Sequence, residues 1–181
     1  MAEHIGHAES VAYCLWHRSE ALEALGDPDR AVADGERALA IAERLRHREW
    51  QAASMCGLGA AHLARGDLAG AETVLRRALD MAAGVPVFTT WGSAMLARTL
   101  ISAGQPDEAA AFVQRALAQP VASALFEARL ARAELLVARN EAEFEAVARE
   151  ALAIATTSGH LASARLLRDL LLSHEVDQAA R

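Results

Sequence analysis

Apolar residues recur along most of this chain at three- and four-residue intervals, the spacing that lays one apolar stripe along a helix. Residues 58–79 show the pattern twice: LGAAHLAR, a break at Gly66–Asp67, then LAGAETVLRRAL. The break has the chemistry of one helix ending and another starting. Glycine takes the left-handed backbone just past a last turn, and aspartate caps the next first turn. The same punctuation stands at Gly26–Asp27–Pro28 and Gly104–Gln105–Pro106. Pro28, Pro86, Pro106 and Pro120 all fall between apolar runs or at a first helical position, where the missing N–H costs nothing. These signals predict nine helices, over about 4–25, 28–46, 49–65, 68–83, 89–103, 106–118, 121–139, 141–157 and 160–174, with a frayed tail from Glu175. No stretch alternates with period two between hairpin signals, so no strand is predicted.

Superposing the turns exposes a repeat. Gly26, Gly66 and Gly104 lie 40 and 38 residues apart, and Ala31, Ala71 and Ala109 keep that spacing. So do the pairs Ala38–Leu39, Ala78–Leu79 and Ala116–Leu117, with Ala151–Leu152 following 35 residues later. Self-similarity of this kind marks stacked units, none of which buries its apolar face alone. The small residues let the helices of a pair approach: Gly59 and Ala97 from the first helix, Ala71 and Ala78 from the second.

On these residues the unit resembles a tetratricopeptide repeat. The second repeat matches at Leu58–Gly59, Gly66, Ala71, Leu75 and Ala78, and the third at Leu96–Ala97, Gly104, Ala109, Val113 and Ala116. In the first, Gly26, Ala31 and Ala38 fit, but Gly35 stands where a large apolar residue is usual. In the fourth the turn is Arg139–Asn140, and Phe144 sits near the expected alanine. Asparagine tolerates the left-handed turn conformation. The resemblance implies an all-α protein: a right-handed α-solenoid of about four helix pairs (about 12–45, 52–85, 90–123 and 125–157) with a C-terminal capping helix at 160–174, one domain over 1–181. The long periods are similar to those of the sensor and scaffold regions of large bacterial regulators. The chain, however, has no Walker motif, cyclase domain or DNA-reading helix–turn–helix, and reads as a stand-alone scaffold or a segment of such a protein.

Composition narrows the picture. At 181 residues, 53% hydrophobic and with a mean hydropathy of +0.11, the chain has enough apolar material for a core. Its abundant alanine favours helix. All 18 basic residues are arginine and Asn140 is the one asparagine, the signature of a GC-rich bacterial genome. A net charge of −6 argues against direct nucleic-acid binding, which needs a basic surface. Arg76–Arg77 therefore reads as a solvated face. No apolar run reaches the roughly 20 residues of a membrane span, and the N-terminus lacks the basic and apolar regions of a signal peptide. A cytoplasmic location is expected. Cys14 and Cys56 give no disulfide framework and read as buried thiols.

The resemblance also places a site, because the family's ligands usually lie against the first helix of each pair. Repeat by repeat that gives Tyr13, Trp16, His17 and Glu20; Cys56 and Ala60; Trp91, Met95 and Arg98; and Phe126 and Arg129. Aromatic, Met and Arg side chains are what interface hot spots are made of. The expected groove is apolar, flanked by Arg98 and Arg129, and takes a peptide or an acidic, partly apolar small ligand. The alternative is that these rings pack between tightly wound helices. Trp50 reads as cover for a junction between repeats. A metal site at His4, His7, Cys14 and His17 fails on distance, because His7 and Cys14 stand about 10.5 Å apart along a helix. No HExxH, GxSxG, phosphate loop or Cys-x-x-Cys occurs. No cofactor, metal or enzymatic activity is expected. The leading reading is a non-catalytic module binding a protein or peptide, either a partner or another domain of a larger parent chain. A small-molecule sensor and a self-associating homo-oligomer stand as alternatives.

Overall fold

Six turns among the described residues close with the same backbone bond, an N–H donating to the carbonyl five residues back, and the four that fall within helix pairs set the architecture. The N–H of Asp27 donates to Leu22 O at 2.9 Å, that of Asp67 to His62 O at 2.9 Å, that of Gln105 to Leu100 O at 2.8 Å, and that of Glu141 to Leu136 O at 2.9 Å. Each bond satisfies a carbonyl that a helix end would otherwise leave unpaired. The computed structural model describes residues 7–118, 121 and 124–179. Within these run α1 (Ala8–Ala24), α2 (Pro28–Arg44), α3 (Arg48–Arg65), α4 (Leu68–Met81), α5 (Pro86–Ser102), α6 (Pro106–Leu117), α7 (Leu125–Ala138), α8 (Phe144–Thr157) and α9 (Leu161–Ala179). His4, Pro120 and the predicted start of the first helix lie outside the described residues.

Each helix packs on the next, and α1 also packs on α3, α3 on α5, α5 on α7 and α7 on α9. No comparable contact joins the even-numbered helices among the described residues. The odd helices therefore form a close inner layer, with the even helices spread behind it. This is the all-α solenoid that the repeat predicts.

Inside each pair the small residues set the spacing. A Cβ added at Gly59 would stand 2.4 Å from Leu75 Cγ, so only glycine lets α3 and α4 close this far. Gly35 has a parallel use. Leu58 of the next pair fills the space a side chain there would need, with its Cβ 3.3 Å from that position. On the outside, Arg48 ties α3 to α4 within the second pair, donating to Met81 O at 2.9 Å, and other arginines tie one pair to the next: Arg76 donates to Glu108 at 2.6 Å and Arg139 to Asp107 at 2.8 Å. Arg76–Arg77 is thus a solvated face whose charges are matched, Arg77 by Glu43 at 3.4 Å.

Two apolar clusters make up the core. The larger runs from α1 to α7, and the smaller joins α7, α8 and α9 around Phe144. α7 serves both: Ala128, Ala131 and Leu135 face the first, and Leu130, Ala133 and Leu136 the second.

Two expectations need correction. Cys14 is exposed, because the buried stripe of α1 is Ala12, Leu15, Ser19 and Leu22, and no element among the described residues covers the other side. The tail after Glu175 is helical to Ala179. It is held by the His174 ring against Phe144 at 4.6 Å and by Glu175 facing Arg149 at 3.6 Å. α9 covers the end of the stack. It packs on α7 and α8 as α7 packs on α5 and α6, taking the place of the first helix of a fifth pair.

Candidate functional site

The inner layer encloses a hollow of about 390 Å³, to which every odd helix contributes. From α1 come Trp16, Glu20 and Glu23, spaced four and three residues apart and so on one stripe. From α5 come Phe88, Trp91, Met95 and Arg98 by the same spacing. Ala60 of α3 lies between them. Glu127 of α7 and Ser163 and Leu166 of α9 close the far side.

The floor is aromatic. The Trp16 and Trp91 rings lie 6.2 Å apart at 40°, and Phe88 meets Trp16 edge-on at 6.2 Å. Gly57 lets Trp16 pack close on α3: a Cβ there would sit 3.1 Å from Trp16 Cδ1, tight enough to shift that ring, and in ordinary contact with Trp91 Cη2 at 3.8 Å. Trp16 Nε1 is buried and has no hydrogen-bond partner among the described residues. A second tier of rings flanks the floor: His17 stacks on Trp16 at 4.2 Å, and Tyr13 meets His17 at 4.3 Å.

The charges form one network. The Arg98 guanidinium donates from Nη1 to Glu127 at 3.0 Å and from Nε to both oxygens of Glu134 at 3.1 Å. Burial opposes its positive charge, but Glu134 and Glu127 more than restore it. Ser163 of α9 donates to the other Glu127 oxygen at 3.3 Å. Glu20 holds His17 Nδ1 at 2.7 Å; burial raises its carboxyl above the ordinary range and His17 pulls it back in part. Glu134 is raised by burial and lowered in part by Arg98. Glu23 has no ion pair among the described residues. Burial first, and then Glu127, lift its carboxyl above the usual value, and Arg98 pulls it back in part.

Of the residues expected in the groove, the structure brings Trp16, Glu20, Ala60, Trp91, Met95 and Arg98 to the hollow. Tyr13 and His17 lie beside it. Cys56 lies beneath, fully buried, its Sγ 3.8 Å from Phe88 O and its thiol pushed up by burial. Phe126 is turned away and stacks on His160 at 3.7 Å. Arg129 lines a separate hollow with Leu117, Arg132 and Glu150. Both fall outside because the fourth repeat is in register with the third through its turn, Asn140 standing where Gly104 stands, which puts Glu127, and not Phe126, in the place of Trp91. Trp50 lies 5.9 Å from Tyr13 at the junction of the first two pairs.

The groove is also more acidic than expected, since Arg98 is already matched by two carboxylates. Glu23, Gly57, Phe88, Glu127, Ser163 and Leu166 were not singled out from the sequence. For Glu23 a signal exists, because it lies three residues past Glu20 on the same stripe. For Ser163 and Leu166 there is none, since their place depends on α9 returning to the inner layer.

Among the described residues, no group of three or more His, Cys, Asp or Glu is arranged to hold a metal ion, and no helix is long and apolar enough to cross a membrane. Residues 11–83, spanning most of α1 to α4, match the family model described as tetratricopeptide repeat. No curated protein matches the chain.

Proposed function

From its membership of the tetratricopeptide-repeat family, shown by residues 11–83, a family that generally mediates protein–protein contacts and is typically non-catalytic, we propose that this chain is a cytoplasmic, non-catalytic module that holds a peptide or partner segment in its inner hollow. The observation that carries this is the aromatic floor. Trp16, Trp91 and Phe88 supply apolar area, the indoles with a polar edge, Met95 adds an adaptable wall, and Gly57 lets Trp16 pack close on α3. Trp16 and Trp91 are each partly exposed, which leaves ring area for an occupant.

A synthetic peptide pool panned against the whole chain tests the reading. Peptides that enrich should lose binding to the Trp91→Ala variant and keep it with Trp50→Phe. The variant's stability should fall by less than the roughly 3–5 kcal/mol that truncating a fully buried Trp costs. No enrichment, or enrichment indifferent to Trp91, would overturn it.

The enclosure by α9 and the modest volume also favour a second reading, a small-molecule sensor, since small ligands occupy hollows of about 300–1,000 Å³. A metabolite thermal-shift screen addresses it, because ligand at 100 times its dissociation constant adds roughly 2.7 kcal/mol to stability.

A further inference from the structure

The balance of charge around the hollow limits what it accepts. Glu20, Glu23 and Glu127 line it, with Glu134 directly behind, and Arg98 is the one guanidinium among them. Arg98 is spent on Glu127 and Glu134. Glu20 has His17, whereas Glu23 forms no ion pair among the described residues and is reached by Arg98 only at longer range. An anionic occupant would press like charge on Glu23. A purely apolar one would take water from that carboxylate and return nothing, which costs free energy. A cation would supply the missing partner. The indole faces of Trp16 and Trp91 would add cation–π attraction and cover for an alkyl stem.

We infer that the hollow takes the side chain of an arginine or lysine presented by a partner peptide. This rests on the peptide reading above and names the anchor that reading leaves open. Burial and Glu127 hold the Glu23 carboxyl above its ordinary value, Arg98 lowers it in part, and an incoming cation adds a direct opposite charge that offsets the first two. Arg98 then orients carboxylates and does not read the ligand.

The test uses the whole chain and four heptapeptides identical except for a central arginine, lysine, citrulline or glutamate, titrated by calorimetry. The arginine and lysine peptides should bind at least about tenfold more tightly than the citrulline peptide, a step one added charge-assisted contact supplies. Glu23→Gln should remove that advantage and leave the citrulline peptide unchanged, with a thermal melt confirming that the variant is folded. If arginine and citrulline peptides bind alike and Trp91→Ala abolishes both, the cation is wrong and the peptide site stands. Tightest binding of the glutamate peptide would overturn the inference in favour of Arg98 as the reader. Binding of N-acetylarginine amide alone, with none of the peptides, would overturn the peptide source. No Trp91-dependent binding of any probe would end both readings.

Discussion

The turn at Gly66–Asp67 and the turn at Asn140–Glu141 close with the same backbone bond but are built from different residues. At the first, Gly66 adopts φ 81° and Asp67 caps α4 by accepting the Gly70 N–H at 3.0 Å. At the second, Asn140 adopts φ 54°, and α8 starts with no side-chain cap. The surroundings differ in parallel. The first turn belongs to the continuous cluster from α1 to α7. The second sits over the smaller cluster, where Phe144 fills space that alanines leave elsewhere. The chain thus holds one geometry by two means. The early pairs rely on turn chemistry and close helix approach, and the last relies on one large buried ring. Where backbone chemistry is relaxed, packing has to carry the geometry.

The strongest way to break this comparison is Phe144→Ala, which should cost roughly 3–5 kcal/mol in urea unfolding. All three tryptophans, Trp16, Trp50 and Trp91, lie in the region of the larger cluster. Helical signal should therefore be lost at lower urea than Trp fluorescence changes, because stacked units can unfold in sequence. Coincident transitions would show one cooperative body and no division between the two ends.

The turns themselves sharpen it at the next level. Gly66→Ala should cost roughly 1–2 kcal/mol, the penalty of a left-handed backbone for a residue with a Cβ. Asn140→Ala should cost less, and Asn140→Gly should be neutral or stabilising. Equal losses for the two alanine variants, read from thermal melts, would mean that the turns are equivalent after all.

The smallest effect concerns the hollow. The Glu23 carboxyl is raised in the folded chain, so its ionisation opposes folding. The folded state is favoured below the ordinary carboxylate pKa, and that advantage is lost as pH rises through the raised value. Glu23→Gln should therefore raise Tm at pH 7, and the gain should vanish on titration to acid. A gain that persists at low pH would place its cause in packing.

Helix placement was legible because glycine, aspartate and proline punctuate the chain at fixed intervals, and six of the expected groove residues reach the hollow by repeat alignment alone. What escaped depends on distant neighbours. Gly35 looked like a defect until Leu58, more than twenty residues on, proved to occupy its space. Arg98 read as an anion binder because its partners Glu127 and Glu134 come from another pair. Phe126 and Arg129 were misplaced because the weak fourth repeat was set one residue out of register, whereas its turn at Asn140 puts Glu127 in the place of Trp91. Asp34 shows the same limit. It is nearly buried in α2, and Arg18 of α1 binds it through two hydrogen bonds and holds its carboxyl below the usual range.

Because all five odd helices border the hollow, no single pair sets its width. Each junction between pairs turns the next one through a small angle, and the gap between Glu23 on α1 and Leu166 on α9 is the running total of those angles. A change in tilt too slight to notice at any one junction is magnified at the mouth. The curvature of the whole array and the fit of whatever sits inside are therefore one mechanical variable, and pulling the two ends apart would loosen the grip without touching a single lining residue.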